Sequence, residues 1–202
     1  MNRTIRTVLV VGAVTAALAA CTSKEVGGNP TSAPATDTSS AKPTESSSPS
    51  SNEPTLDIEK FVSAPCTILT QAQQTALGTF REAKAGEDGV NGPSCTYQGK
   101  DVLENSSFTI VLAVKGNTFD DAVKDGDTKF PVFQETKIEG YRAASFDGTD
   151  GKRHCNTAIR TSDRTFVLIQ GSIAKNDTKL NDGKACGTTE RVAATVIGNL
   201  KG

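Results

Sequence analysis

The chain has 202 residues, with 22 Lys and Arg against 23 Asp and Glu and a formal charge of −1. That balance excludes the clustered basic excess of a nucleic-acid footprint and the polybasic surface that holds a protein on anionic lipid. Charge and hydrophobic content together suit an ordinary globular domain, but one preceded by two segments of different character.

The first segment reads as a secretory signal over residues 1–20. Arg3 and Arg6 form a positive start, and Thr7 to Leu18 supply an apolar run. That run is about a dozen residues, whereas a membrane-spanning helix needs roughly 20. No later stretch is long and apolar enough to span. The run ends in Leu18-Ala19-Ala20-Cys21, which looks like a lipobox, with cleavage before Cys21 and a diacylglycerol anchor on its sulfur. The plainer alternative is an ordinary cleaved signal that leaves Cys21 as a stray thiol. Each buried methylene adds about 0.8 kcal/mol, and two acyl chains hold stably where one is marginal.

Residues 21–55 carry the expected lipidation site Cys21 and then a tether. Ser, Thr and Pro fill 20 of the 34 positions from 22 to 55. Such a segment cannot bury enough apolar surface to offset its ordering entropy, so a disordered spacer is expected. Its typical reach is roughly 30 Å, and fully extended about 105 Å. Ser/Thr/Pro-rich stalks can also carry O-linked glycans.

Residues 56–202 suit one extracytoplasmic domain. Thr70-Gln71-Ala72-Gln73 reads as a capping box opening a short helix that Gly78 ends. Residues 79–93 are rich in Gly and charge and read as a long loop. Cys95 to Gly99 reads as a strand. Ser107 to Lys115 is the clearest strand, with Phe108, Ile110, Leu112 and Val114 alternating along one face. Thr118-Phe119-Asp120-Asp121 resembles a second capping box, whose helix runs up to Gly126. Val132 to Thr136 and Tyr141 to Phe146 read as strands joined near Gly140. His154 to Thr161 and Thr165 to Gly171 read as a hairpin about Ser162-Asp163. A last helix runs from about Lys184 to Leu200, with Ala185, Val192, Ala193, Val196, Ile197 and Leu200 on one stripe. These elements imply an α+β fold: one antiparallel sheet of about five to seven strands, with the N- and C-terminal helices on one face.

With Cys21 set aside, Cys66, Cys95, Cys155 and Cys186 remain, an even number that reads as two disulfides in an exported domain. Three pairings are possible. Cys66–Cys95 with Cys155–Cys186 is favoured, since each closes a local loop of about 30 residues worth roughly 3.5 kcal/mol in the chain-entropy model. A zinc site is disfavoured by the lack of closely paired ligands.

Catalytic signatures are weak. His154 is the sole histidine, so any Ser-His-Asp or Cys-His arrangement must use it. No G-x-S-x-G elbow exists. Asp120-Asp121 is explained by helix N-terminal charge. Asp125-Gly126-Asp127 and Asp147 to Gly151 hint at calcium but miss the loop spacing, and turn chemistry explains both. Gly151-Lys152 and Gly183-Lys184 lack the upstream glycine of a phosphate loop. Tyr141, Arg142 and Arg160 are candidates to line a ligand groove.

Several of these stretches together resemble a known family. Cys66-Thr67-Ile68-Leu69-Thr70, then Ala76-Leu77-Gly78, then Ser94-Cys95-Thr96-Tyr97 look like the opening of an actinobacterial lipoprotein family of unknown function. Gly140-Tyr141-Arg142-Ala143-Ala144, the strand holding Cys155, and Ala185-Cys186 continue the match across most of residues 61–201. Tyr97 stands where Trp is common, and Ile68 where the first leucine falls. The resemblance implies an exported, lipid-anchored, two-disulfide α+β domain and carries no catalytic residues. More remotely, the domain is similar to extracellular sensor domains of actinobacterial kinases.

The expected function is therefore a non-enzymatic binding or accessory lipoprotein on the outer face of the cell membrane, monomeric, with no cofactor, metal or nucleic acid. Its partner would be an envelope ligand or a membrane protein. An envelope hydrolase built on His154 or on paired carboxylates, or a purely structural surface protein, are the alternatives.

Overall fold

The computed structural model describes residues 55–180 and 183–202. The expected signal, most of the tether and the lipidation site Cys21 lie outside the described residues. Among those described, no helix is long and apolar enough to cross a membrane.

The elements run α1 (Glu59–Val62), a 3-10 turn (Pro65–Ile68), α2 (Gln71–Leu77), β1 (Lys84–Asp88), β2 (Gly92–Tyr97), β3 (Ser107–Ala113), α3 (Phe119–Val123), α4 (Gly126–Lys129), β4 (Val132–Ile138), β5 (Tyr141–Asp147), β6 (His154–Arg160), β7 (Phe166–Ser172), α5 (Lys175–Leu180) and α6 (Cys186–Lys201). The seven strands form one sheet in the order β1-β2-β3-β7-β6-β5-β4. Every neighbouring pair is antiparallel. The expected α+β architecture is the one observed.

Side chains alternate between the two faces, and the first face is the main core. Phe108, Ile110 and Leu112 of β3, Val167 and Ile169 of β7 and Ile159 of β6 are buried there. The α6 stripe of Val192, Ala193, Val196, Ile197 and Leu200 packs on them, beside Leu56, Ile58, Ile68 and Leu69 from the N-terminal segment. Fully burying one such side chain stabilises by about 1.5–3 kcal/mol. A polar seam fixes how α6 sits: the Ser145 and Thr157 hydroxyls bond at 3.0 Å, Thr157 and Thr189 at 2.8 Å, and Ser145 donates to Glu190 Oε1 at 2.8 Å.

Both favoured disulfides are present. Cys66, in the 3-10 turn, bonds Cys95 of β2, and Cys155 of β6 bonds Cys186 at the start of α6. Each ties a flanking helical segment to the sheet. Both expected capping boxes also form: Thr70 with Gln73 on α2, and Thr118 with Asp121 on α3. The Thr118 hydroxyl and N–H donate to Asp121 and hold its carboxyl below the ordinary range.

Residues 79–93 correct the sequence reading. They contain β1 and the start of β2 rather than a long loop. β1 is an exposed edge strand of sequence Lys-Ala-Gly-Glu-Asp, held by its ladder to β2 and not by any buried face. Charge on an edge strand blocks further pairing and erases the apolar alternation that marks a strand. The helix read up to Gly126 is also shorter, because Lys124 leaves helical geometry and Asp125 takes φ +57°. Gly126 then opens α4, packed so closely on the Phe133 ring that a Cβ has no room.

Candidate functional site

Among the described residues, the second face of the sheet is covered over only part of its area. Phe119 and Val123 of α3, with Phe130, cover Val111, Ala113, Ala144, Phe146, Ala158, Phe166 and Leu168. Arg142 closes one edge: its guanidinium lies 5.1 Å from the Phe119 ring centre and pairs with Asp120 at 3.1 Å and Glu135 at 3.7 Å. Beyond this cover the same strands turn polar. Along β3 the face reads Ala113, Val111, then Thr109; along β7, Phe166, Leu168, then Gln170 and Ser172; along β6, Ala158, then Asn156 and His154.

These polar positions form one registered row. Thr96 opposes Thr109, Thr109 opposes Gln170, and Gln170 opposes Asn156. The Thr96 and Thr109 hydroxyls share a hydrogen bond at 3.1 Å. Gln170 is exposed, while Thr109 and Asn156 are half-buried. With His154 opposite Ser172 at the outer end, they line a shallow groove of about 350 Å³. Beside it, between α3 and the sheet, lies a second hollow of about 300 Å³, floored by Phe146, Phe166 and Leu168 and rimmed by Asn91 and Asn117. A third, of about 470 Å³, lies between α2 and the segment Thr79–Ala83.

His154 lies in the first groove, exposed. Asp147, the acid electrostatically coupled to it, points to the opposite face of the sheet and is taken up by its own turn. Its carboxylate accepts the Gly151 N–H at 2.8 Å and the Thr149 N–H at 3.1 Å. Burial acts to raise the Asp147 pKa, but donation by the Thr149 hydroxyl, the Gly151 N–H and the Thr149 N–H outweighs it and holds the carboxyl below its ordinary value. The Asp147–Gly151 stretch is thus a closed turn, as its turn chemistry suggested. Among the described residues no three His, Cys, Asp or Glu side chains converge as a metal site.

The groove suggested for Tyr141, Arg142 and Arg160 does not form. Tyr141 and Arg142 are neighbours on one strand and so face opposite sides of the sheet. Tyr141 packs in the main core and Arg160 is buried against Asp163. The Thr109–Gln170–Asn156 row was missed because it is composed across three separate strands. The available signal was the mid-strand change from apolar to uncharged polar in each of them.

Comparison with curated proteins and with solved structures finds no significant match. Residues 16–199 match a single family pattern, described as "Protein of unknown function (DUF3558)". The match takes in both disulfides, the whole sheet and the segment around Cys21. With nearly the full length of the domain inside it, the chain belongs to the DUF3558 family.

Proposed function

We propose that the protein is a lipid-anchored, extracytoplasmic lipoprotein that serves as a non-enzymatic binding module of the cell envelope. One observation carries this reading. Cys66, Cys95, Cys155 and Cys186 are consumed pairwise, so Cys21 is the one cysteine left over, and it follows Leu18-Ala19-Ala20 at the end of an apolar run. Two disulfides suit an oxidising compartment. The family match beginning upstream of Cys21 supports treating anchor and domain as one unit, of the actinobacterial lipoprotein type the sequence resembles.

The fold supports display. The chain enters the domain where the Leu56 N–H donates to the Thr161 carbonyl at 2.9 Å, just past the end of β6. His154 and the open groove stand at the other end of that strand, roughly 20 Å away at about 3.3 Å per residue. Leu56 and the open groove thus lie toward opposite ends of β6.

The test is metabolic labelling with an alkyne fatty acid, followed by membrane fractionation. The wild-type chain should carry the label and sediment with membranes. Cys21→Ala should lose both. A Cys21→Ala protein that stays labelled and membrane-bound would overturn the anchor.

A hydrolase is the second reading, because His154 is exposed and in register with Ser172. It requires a fluorophosphonate probe to label the protein in a way that His154→Ala abolishes. The binding-module reading expects no such labelling.

A further inference from the structure

We infer that the open half of the second sheet face binds an uncharged, polyhydroxylated ligand, a short oligosaccharide, along the row Thr109, Gln170 and Asn156. This deepens the binding-module reading and rests on it.

The first support is position. β3, β7 and β6 are the three central strands of the sheet. Their first face is fully packed, and α3 covers one half of their second face. The uncovered half therefore lies in the middle of a rigid sheet, where strand geometry fixes each side chain. Sites built on such elements hold their groups more precisely than sites on loops.

The second support is chemistry. The chain is 22% charged, yet among the described residues none that lines this groove carries a carboxylate, ammonium or guanidinium. Exposed sheet faces ordinarily carry charge of both signs. Here the lining carries three hydroxyls, two carboxamides and an imidazole instead. An amide presents two donors and an acceptor of two lone pairs, and a hydroxyl presents one donor and two lone pairs. That mixed array matches a ligand whose own groups both donate and accept. A phosphate or carboxylate ligand would find no fixed positive charge among the groove's lining residues, and a cationic one no carboxylate; the nearest ammonium along the row is that of Lys84, registered opposite Thr96 on the edge strand.

The third support is spacing. Thr96, Thr109, Gln170 and Asn156 are direct cross-strand neighbours, so the row steps across three interstrand gaps, roughly 14 Å in all. That is the length of a short sugar chain rather than of one ring. Thr96 and Thr109 already bond each other, which leaves the Gln170 and Asn156 amides as the principal recognition groups. The row then ends against Phe146, registered opposite Asn156 and sealed beneath Phe130 at 4.7 Å between ring centres.

The experiment is an amide NMR titration of the full mature polypeptide with Cys21→Ser, which removes the lipid and keeps the tether and domain. The probes are maltotriose, mannotriose, cellotriose and chitotriose up to millimolar concentration, with inorganic phosphate and a heparin disaccharide as charged comparators. At least one neutral trisaccharide should shift the amides of Thr109, Gln170 and Asn156 together. Gln170→Ala, at an exposed position, should weaken that binding roughly three- to tenfold, the loss of one net hydrogen bond. Asn156→Asp should weaken it while retaining shape.

The inference is overturned if no neutral probe moves those amides. It is also overturned if the charged comparators move them equally, or if the shifts follow protein concentration alone and so report self-association. None of these results bears on lipidation at Cys21, so the anchor and the ligand stand or fall separately.

Discussion

Gln73 and Asn199 face each other through a reciprocal pair of amide hydrogen bonds, Gln73 Nε2 to Asn199 Oδ1 at 2.8 Å and Asn199 Nδ2 to Gln73 Oε1 at 2.9 Å. The same Gln73 oxygen accepts the Thr70 N–H at 2.8 Å, completing the α2 capping box. The same Asn199 nitrogen donates to the Ile68 carbonyl at 2.7 Å. One amide pair thus joins the first helices to the end of the last. Gln73→Ala and Asn199→Ala should each cost about 1 kcal/mol or more, since each also strands a backbone partner. The double variant should cost less than the sum, with a coupling of about 0.5–3 kcal/mol. Chemical denaturation of the four proteins measures it; simple additivity would show that the pair is not a shared lock.

Tyr97 gives the fold an alkaline limit. Its ring is buried in the main core and its hydroxyl donates to the Cys66 carbonyl at 3.2 Å. Burial pushes its pKa from 10.0 up to about 12, against a smaller opposing pull from the Leu69 backbone. Ionisation is therefore easier in the unfolded chain, which sheds its proton first. The stabilising difference is complete below pH 10 and is lost as pH rises toward 12. Wild-type stability should fall across that window, and Tyr97→Phe should remove most of the fall while costing about 1 kcal/mol at neutral pH. Identical alkaline slopes would contradict the assignment.

The sequence revealed elements whose cues were local. The Thr70 and Thr118 capping boxes, the α6 stripe and the β6–β7 hairpin each announce themselves within a few residues. β1 did not, because an edge strand made of Lys, Gly, Glu and Asp carries no period-two apolar signal. The cysteine pairing was readable from loop length, once Cys21 had been set aside. The groove was not readable as a site, since Thr109, Asn156 and Gln170 lie far apart in sequence and meet only through strand register. Tyr141 and Arg142 show the converse error: adjacency along a strand suggested a shared groove, and the pleat sends the two side chains to opposite faces.

Asp147 sets the corresponding acid limit. Three donors from its own turn hold the carboxyl below its ordinary 3.8. A group whose folded pKa is depressed contributes stability above its unfolded value and loses it as pH falls through the folded one. Asp147→Asn should weaken the protein near neutral pH and flatten the stability loss below about pH 4. Thermal melts from neutral to acid pH read both effects. A variant as acid-sensitive as wild type would place the acid-labile group elsewhere.

Gly171 is the contact point between β7 and α6. A Cβ there meets Thr189 Cγ2 inside van der Waals distance, then Ile173 Cδ1 at 3.0 Å and the Cys155 carbonyl oxygen at 3.2 Å. Thr189 cannot retreat freely, because its hydroxyl bonds both Thr157 and the Cys186 carbonyl, in the turn that also carries the Cys155–Cys186 bridge. Gly171→Ala should therefore destabilise by about 1–3 kcal/mol through overpacking. Gly148→Ala is the control: its Cβ would meet nothing within 4 Å, so the change should be close to neutral or slightly stabilising. Adding Thr189→Ser to Gly171→Ala deletes the clashing methyl and keeps the hydroxyl, and should recover part of the loss. If the double variant is no better than Gly171→Ala alone, the tight spot lies at Ile173 or the Cys155 carbonyl instead, and α6 is not what forbids a side chain at this position.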